Sequence, residues 1–113
     1  MSGKSYQRGD AVWYPAPFKN PPKKRLFLIL SDSIHPFHGD EYSVVGMTTT
    51  NHSKAVEVTQ NDWLSGFPGD KGYASPWYIF TIKHSKIDSP QGSLTNSKTT
   101  EIANEVAQII GVL

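Results

Sequence analysis

Two histidines, His35 and His38, stand three residues apart in IHPFHGDEYSVVGMTTT (34–50), and that stretch ends in three consecutive threonines, Thr48, Thr49 and Thr50. Three chemistries suit the histidines. Imidazole can bind a metal, move a proton near neutral pH, or bond nearby backbone and tie down a loop. A catalytic zinc normally has a third protein ligand; Asp40 or Glu41 could supply it, but Pro36 breaks any helical register that would align the pair. No metal or other cofactor is therefore expected. For proton transfer His38 is favoured, because Gly39 lets a substrate backbone come close. The threonines raise a different point. Side chains of a strand alternate between faces, so three in a row cannot all be buried. Beyond Met47 the strand is expected to leave the core and present hydroxyls to a groove.

Upstream, Lys19, Lys23 and Lys24 form a basic stretch that Arg25 extends, with Phe18 beside it. Surface lysines are most often solvated charge. In this arrangement they also suit a rim that tracks phosphates, with Phe18 as a stacking surface. Arg25 carries a planar, permanently charged fork that matches phosphate geometry, and it reads equally as a charge at a strand end.

Composition narrows the field. The 113 residues fit one domain, 37% apolar and 19% charged, with 11 basic and 10 acidic side chains and a formal net charge of +1. Any electrostatic partner site must then be a local patch. There is no cysteine, which removes disulfides, cysteine nucleophiles and thiolate zinc sites. No apolar run approaches the ~20 residues that span a membrane, and MSGKSYQRGD at the N-terminus has no apolar signal region. A cytoplasmic protein without a membrane partner is expected.

The elements that must position these groups are mostly strands. Residues 1–7 read as a flexible tail and 8–113 as a single domain. GDAVWY (9–14) has strand residues. PAPFKNPPKK (15–24) packs four prolines and three lysines into ten positions, which excludes helix and central strand. RLFLILS (25–31) is apolar without alternation from Leu26 to Leu30, as in a strand buried on both faces. YSVVGMTTT (42–50) is a second core strand, and AVEVT (55–59) alternates like its hairpin partner. Residues 61–72 look like loop, with Trp63 and Leu64 packing inward. YASPWYIFTI (73–82) is aromatic and β-branched, so Trp77, Tyr78 and Phe80 are either core or, on the outward face, base platforms. Only the C-terminus is helical in pattern: Ile102, Val106, Ile109 and Leu113 recur at helical spacing, Thr95 can cap the start and Gly111 the end. A mainly β (α+β) fold is predicted, a small barrel with one C-terminal helix.

The ordered set RGDAVW, a loop, RLFLILS, VVGMTTT, WYIFTIKHSKI and a C-terminal helix resembles the MazF/PemK-like toxins of toxin–antitoxin pairs, from Arg8 to Leu113. The resemblance implies an SH3-like β-barrel, a homodimer, a cognate antitoxin, and a metal-independent endoribonuclease that cuts single-stranded RNA at short sequences, leaving 2′,3′-cyclic phosphate and 5′-hydroxyl ends. Carried over by position, Arg25 matches the family's arginine at the start of its second core strand. Thr49 is the closest match to the threonine ending the next strand, with Thr48 the alternative. Residues 15–24 match the loop that flanks RNA. The expected catalytic set is thus Arg25, Thr49 and His38, and the expected RNA contacts are Lys19, Lys23, Lys24, Phe18, Thr48 and Tyr78. The sequence departs from the family pattern where Leu26 follows Arg25 in place of proline, and where Trp77, Tyr78 and Phe80 stand in place of polar RNA contacts. A competing reading is a non-catalytic toxin on the same barrel that binds DNA gyrase or nucleic acid.

Overall fold

A computed structural model describes residues 5–16 and 23–112. Seven strands form one antiparallel sheet: β1 (Asp10–Pro15), β2 (Lys24–Ile29), β3 (Glu41–Thr48), β4 (Val56–Val58), β5 (Trp63–Ser65), β6 (Gly72–Lys83) and β7 (Ser89–Leu94). Their spatial order is β4-β6-β3-β2-β1-β7-β5. The two edge strands, β4 and β5, are separated in sequence only by residues 59–62. The sheet therefore curls until its edges approach, giving the nearly closed barrel that the sequence led us to expect. The α-helix α1 (Asn96–Ile110) packs against β6.

The uninterrupted apolar runs of β2 and β3 are explained by two cores. Leu28, Val45 and Met47 join one cluster with Ala11, Val56, Val58, Ala74, Leu94 and the helix residue Ile102. Phe27, Ile29, Tyr42 and Val44 of the same two strands join a second cluster with Val12, Tyr14 and Ile82. Both faces of these strands are buried, so both need apolar residues. Helix α1 begins as expected: the Thr95 hydroxyl accepts from Lys98 N at 3.1 Å. A cap of this kind is worth about 1 kcal/mol. The helix ends at Gly111 in the left-handed region, φ 90°, where a side chain would be strained.

Four expectations change. AVEVT does form β4, but its partner is β6, because β3 already has β2 on one edge and β6 on the other. Two strands were missed. β5 lies inside the expected loop, and β7 (SPQGSL) has no strand propensity; it is held in place by pairing with β1. Leu64 is 71% exposed, since alternation along β5 turns it away from half-buried Trp63. The described end of the N-terminal tail is docked: Tyr6 N donates to the Tyr42 hydroxyl at 3.0 Å, and its ring rests on Tyr42 and His84. Among the described residues no helix is long and apolar enough to cross a membrane.

Candidate nucleic-acid interface

The start of β2 and the end of β3 lie side by side. Their register pairs Leu26 with Met47 and Phe27 with Gly46. Continued by one residue, it sets Arg25 opposite Thr48. Strand alternation then puts both side chains on the face shared by Phe27 and Gly46. Thr48, Thr49 and Thr50 are all exposed, as expected of a strand that leaves the core after Met47. The Thr48 hydroxyl oxygen accepts from Thr50 N at 3.1 Å, which fixes the side chain and leaves its O–H to donate outward. The register thus brings Thr48, rather than Thr49, directly beside Arg25; both threonines line the same space.

That space is an open groove of about 740 Å³. Lys24, Arg25 and Thr48–Thr50 stand along it, and Leu26, Met47 and Val58 contribute apolar lining. Trp13, Trp63 and Trp77 line it as well, and these are all three tryptophans of the chain. Tyr78 completes the aromatic wall, and Asp70 is the acidic side chain of the lining. Positive charge beside exposed aromatic surface is the combination that binds single-stranded nucleic acid.

The two cations differ. Lys24 Nζ bonds Asp88 at 2.8 Å. This contact, with a hydrogen bond from the Ser89 hydroxyl, holds the Asp88 carboxyl below its ordinary 3.8. Among the described residues Arg25 makes no ion pair. Among these residues, then, no carboxylate neutralises its charge at the groove. Lys23 is exposed next to Lys24. Phe18 and Lys19 lie outside the described residues.

Tyr78 and Trp77 owe their positions to an irregularity in β6. Pairing with β3 passes from Val45↔Ile79 to Gly46↔Ser75 in one step, so Pro76, Trp77 and Tyr78 have no opposite residue. Proline within a strand is itself a signal for such a bulge, because it cannot donate to the ladder. Tyr78 lies directly over Gly46: a Cβ added there would meet its ring at 2.6 Å. Tyr78 also packs edge-on against Phe80 at 4.5 Å, and Phe80 against Phe27 at 5.7 Å. Trp77 packs against His52, ring centroids 4.8 Å apart.

The histidines of the β2–β3 loop are not brought to the groove. They precede β3, whereas Thr48 ends it; at ~3.3 Å per residue that is roughly 20 Å or more along the strand. His35 ties down its loop. Its N–H bonds Asp32 O, its carbonyl accepts from His38 N, and its Nδ1 accepts from Phe37 N, all at 3.0 Å. The His38 ring packs edge-on against Tyr42 at 5.7 Å, and among the described residues its buried Nδ1 has no hydrogen-bond partner. Tyr42 in turn shares a 2.8 Å hydrogen bond with His84 Nδ1, and burial raises the Tyr42 hydroxyl above its ordinary 10.0. His38 therefore belongs to an aromatic cluster at the other end of the barrel, and the expected role as proton carrier beside Arg25 does not fit its location. Among the described residues no three His, Asp or Glu side chains gather as metal ligands. The histidine near the groove is His52, beside Trp77, and the sequence analysis did not single it out.

No family model matches the chain, and no curated protein matches it. Solved structures do match. A mycobacterial endoribonuclease in complex with its cognate antitoxin has a TM-score of 0.75 at 19% identity, over 98% of both chains. A chain of the MazE–MazF structure from Deinococcus radiodurans scores 0.72 at 12% identity, over 98% of this chain and 100% of that one. The Mycobacterium tuberculosis toxin MazF-mt6 scores 0.66 at 20% identity, over 90% and 98%. The chain thus has the fold of the MazF toxins along nearly its whole length.

Proposed function

We propose that this protein is the toxin of a toxin–antitoxin pair, a metal-independent endoribonuclease that cuts single-stranded RNA at short sequences. The observation that carries the reading is Arg25, without an ion-pair partner among the described residues and opposite Thr48, at the edge of a groove walled by tryptophans. In this reading the RNA's own 2′-hydroxyl oxygen attacks the adjacent phosphorus as the 5′-oxygen departs. The new O–P bond closes a 2′,3′-cyclic phosphate, the 2′-hydroxyl proton passes to solvent water, and the leaving oxygen takes up a proton from water to become a 5′-hydroxyl. Arg25 stabilises the negative charge that builds on the crowded phosphorane. An arginine barely deprotonates, so it serves as an electrostatic stabiliser rather than a base. Thr48 donates a hydrogen bond to a phosphate oxygen, with Thr49 next to it able to do the same. Lys23 and Lys24 track neighbouring phosphates.

Fold neighbours that are mycobacterial endoribonucleases, one of them bound to its cognate antitoxin, support this reading and the proposal of an antitoxin partner for this chain. We also assign it a homodimeric state and a cytoplasmic location. The test is incubation of the purified protein with a long unstructured RNA and with a duplex of the same sequence. Discrete fragments from the single strand and an intact duplex are expected. Intact RNA together with inhibited DNA supercoiling by gyrase would favour the non-catalytic reading, which the exposed Trp77 and Tyr78 would also serve.

A further inference from the structure

We propose that Trp77 and Tyr78 form a subsite that stacks an unpaired nucleobase of the RNA, with His52 as the residue that positions Trp77. The inference rests on the ribonuclease reading and names how the same groove selects its substrate. Three observations carry it. First, the bulge re-aims both rings. Without Pro76, Trp77 and Tyr78 the strand would run in continuous register with β3, so these three residues serve something other than sheet pairing. Second, both rings remain in contact with water although core was within reach: Trp77 is 41% and Tyr78 36% exposed, and both line the groove that holds Arg25. Large aromatic surface left exposed beside a cation is costly unless a partner covers it. Third, each ring is braced. Tyr78 sits on Gly46, where a Cβ would come within 2.6 Å of the ring in its present place, and abuts Phe80. Trp77 packs against the His52 ring, whose Nδ1 accepts from Lys54 N at 3.1 Å. A braced aromatic plane loses little freedom when a base stacks on it, and stacking tolerates any base. Lys24 and Arg25 on the same groove supply the charge complement for the flanking phosphates, which favours a nucleotide over an apolar protein segment as occupant.

The experiment uses a panel of non-cleavable 2′-O-methyl oligoribonucleotides. The tightest binder is scanned with single abasic positions, and affinity is read by fluorescence anisotropy. For the wild-type chain, one or two abasic positions should weaken binding about five- to a hundredfold, the range found for removing one stacked base. Trp77→Ala and Tyr78→Ala should lose a similar factor on the intact oligomer and no longer respond to the abasic site that mattered. Trp77→Phe should retain most of the affinity. His52→Ala should show part of the Trp77→Ala loss at that same position, and His52→Phe should restore it by replacing the supporting ring. Wild-type binding with an abasic profile that Trp77→Ala and Tyr78→Ala leave unchanged would overturn the subsite while leaving the ribonuclease reading intact. Wild-type protein that binds no oligomer of the panel and cleaves no RNA would overturn both.

Discussion

In the proposed reaction the chemistry turns on Arg25 and Thr48. Arg25→Ala should slow RNA cleavage about a hundredfold or more, the usual scale for removing a preorganised charge from a transition state. Arg25→Lys should recover only part, because lysine keeps the charge and loses the fork. Thr48→Ala should cost less than Arg25→Ala and more than Thr49→Ala, since the register sets Thr48 beside Arg25. Single-turnover rates on one RNA would order all four; a rate for Arg25→Ala equal to wild type would remove it from the site. The Lys24–Asp88 pair gives a separate prediction. Its Asp88 carboxyl is depressed in the folded chain, so the pair is present above the ordinary carboxylate range and is lost only as pH falls through the lowered value. At neutral pH Lys24 is therefore partly neutralised. Asp88→Asn should release it, tighten RNA binding and steepen the salt dependence by about 0.7 in log–log slope, one more phosphate contact on a single strand. An unchanged slope would place Lys24 off the RNA path. The exposure of Arg25 and the threonines at their strand ends was legible because strand alternation is a local rule. The locations of His38 and His52 were not, because only the pairing of β3 decides which histidine lies near the groove.

At the scale of elements, strand and helix patterns were visible wherever burial imposed them. The double-sided burial of β2 and β3, the cap at Thr95 and the stop at Gly111 all left marks in composition. β7 left none, since Ser, Pro, Gln and Gly become a strand only through the neighbouring backbone of β1. The partner of β4 was equally hidden, because edge availability depends on the whole sheet. The bulge in β6 did leave a signal in Pro76, which an apolar reading of 73–82 overlooked. It also yields a test. Gly46→Ala would place a methyl group within 2.6 Å of the Tyr78 ring. The ring must then lift from its seat, which should weaken RNA binding while the buried β2–β3 pairing keeps the fold. A cooperative thermal melt with reduced RNA affinity is expected; unchanged affinity would show that the seat of Tyr78 is unimportant.

For the whole molecule, Ile109, Ile110 and Val112 at the end of α1 are 47%, 60% and 69% exposed, and Leu64, Ile34 and Phe37 add apolar surface elsewhere. This is consistent with the homodimer we assign, and an obligate dimer would bury about 2,000 Å² or more. Light scattering at micromolar concentration should give twice the 12.5 kDa chain mass; a monomer would contradict the assignment. The barrel was foreseeable from short strands at close spacing and from the ordered resemblance, while the partner surfaces depend on chains that the sequence does not contain. The central claim is that the Arg25 groove promotes attack by the RNA's own 2′-hydroxyl, and the ends of the products test it most directly. Fragments made in the presence of a chelator should carry 2′,3′-cyclic phosphate and 5′-hydroxyl termini, as read by mass spectrometry. Fragments with 5′-phosphate and 3′-hydroxyl ends, or cleavage abolished by the chelator and restored by zinc, would contradict it.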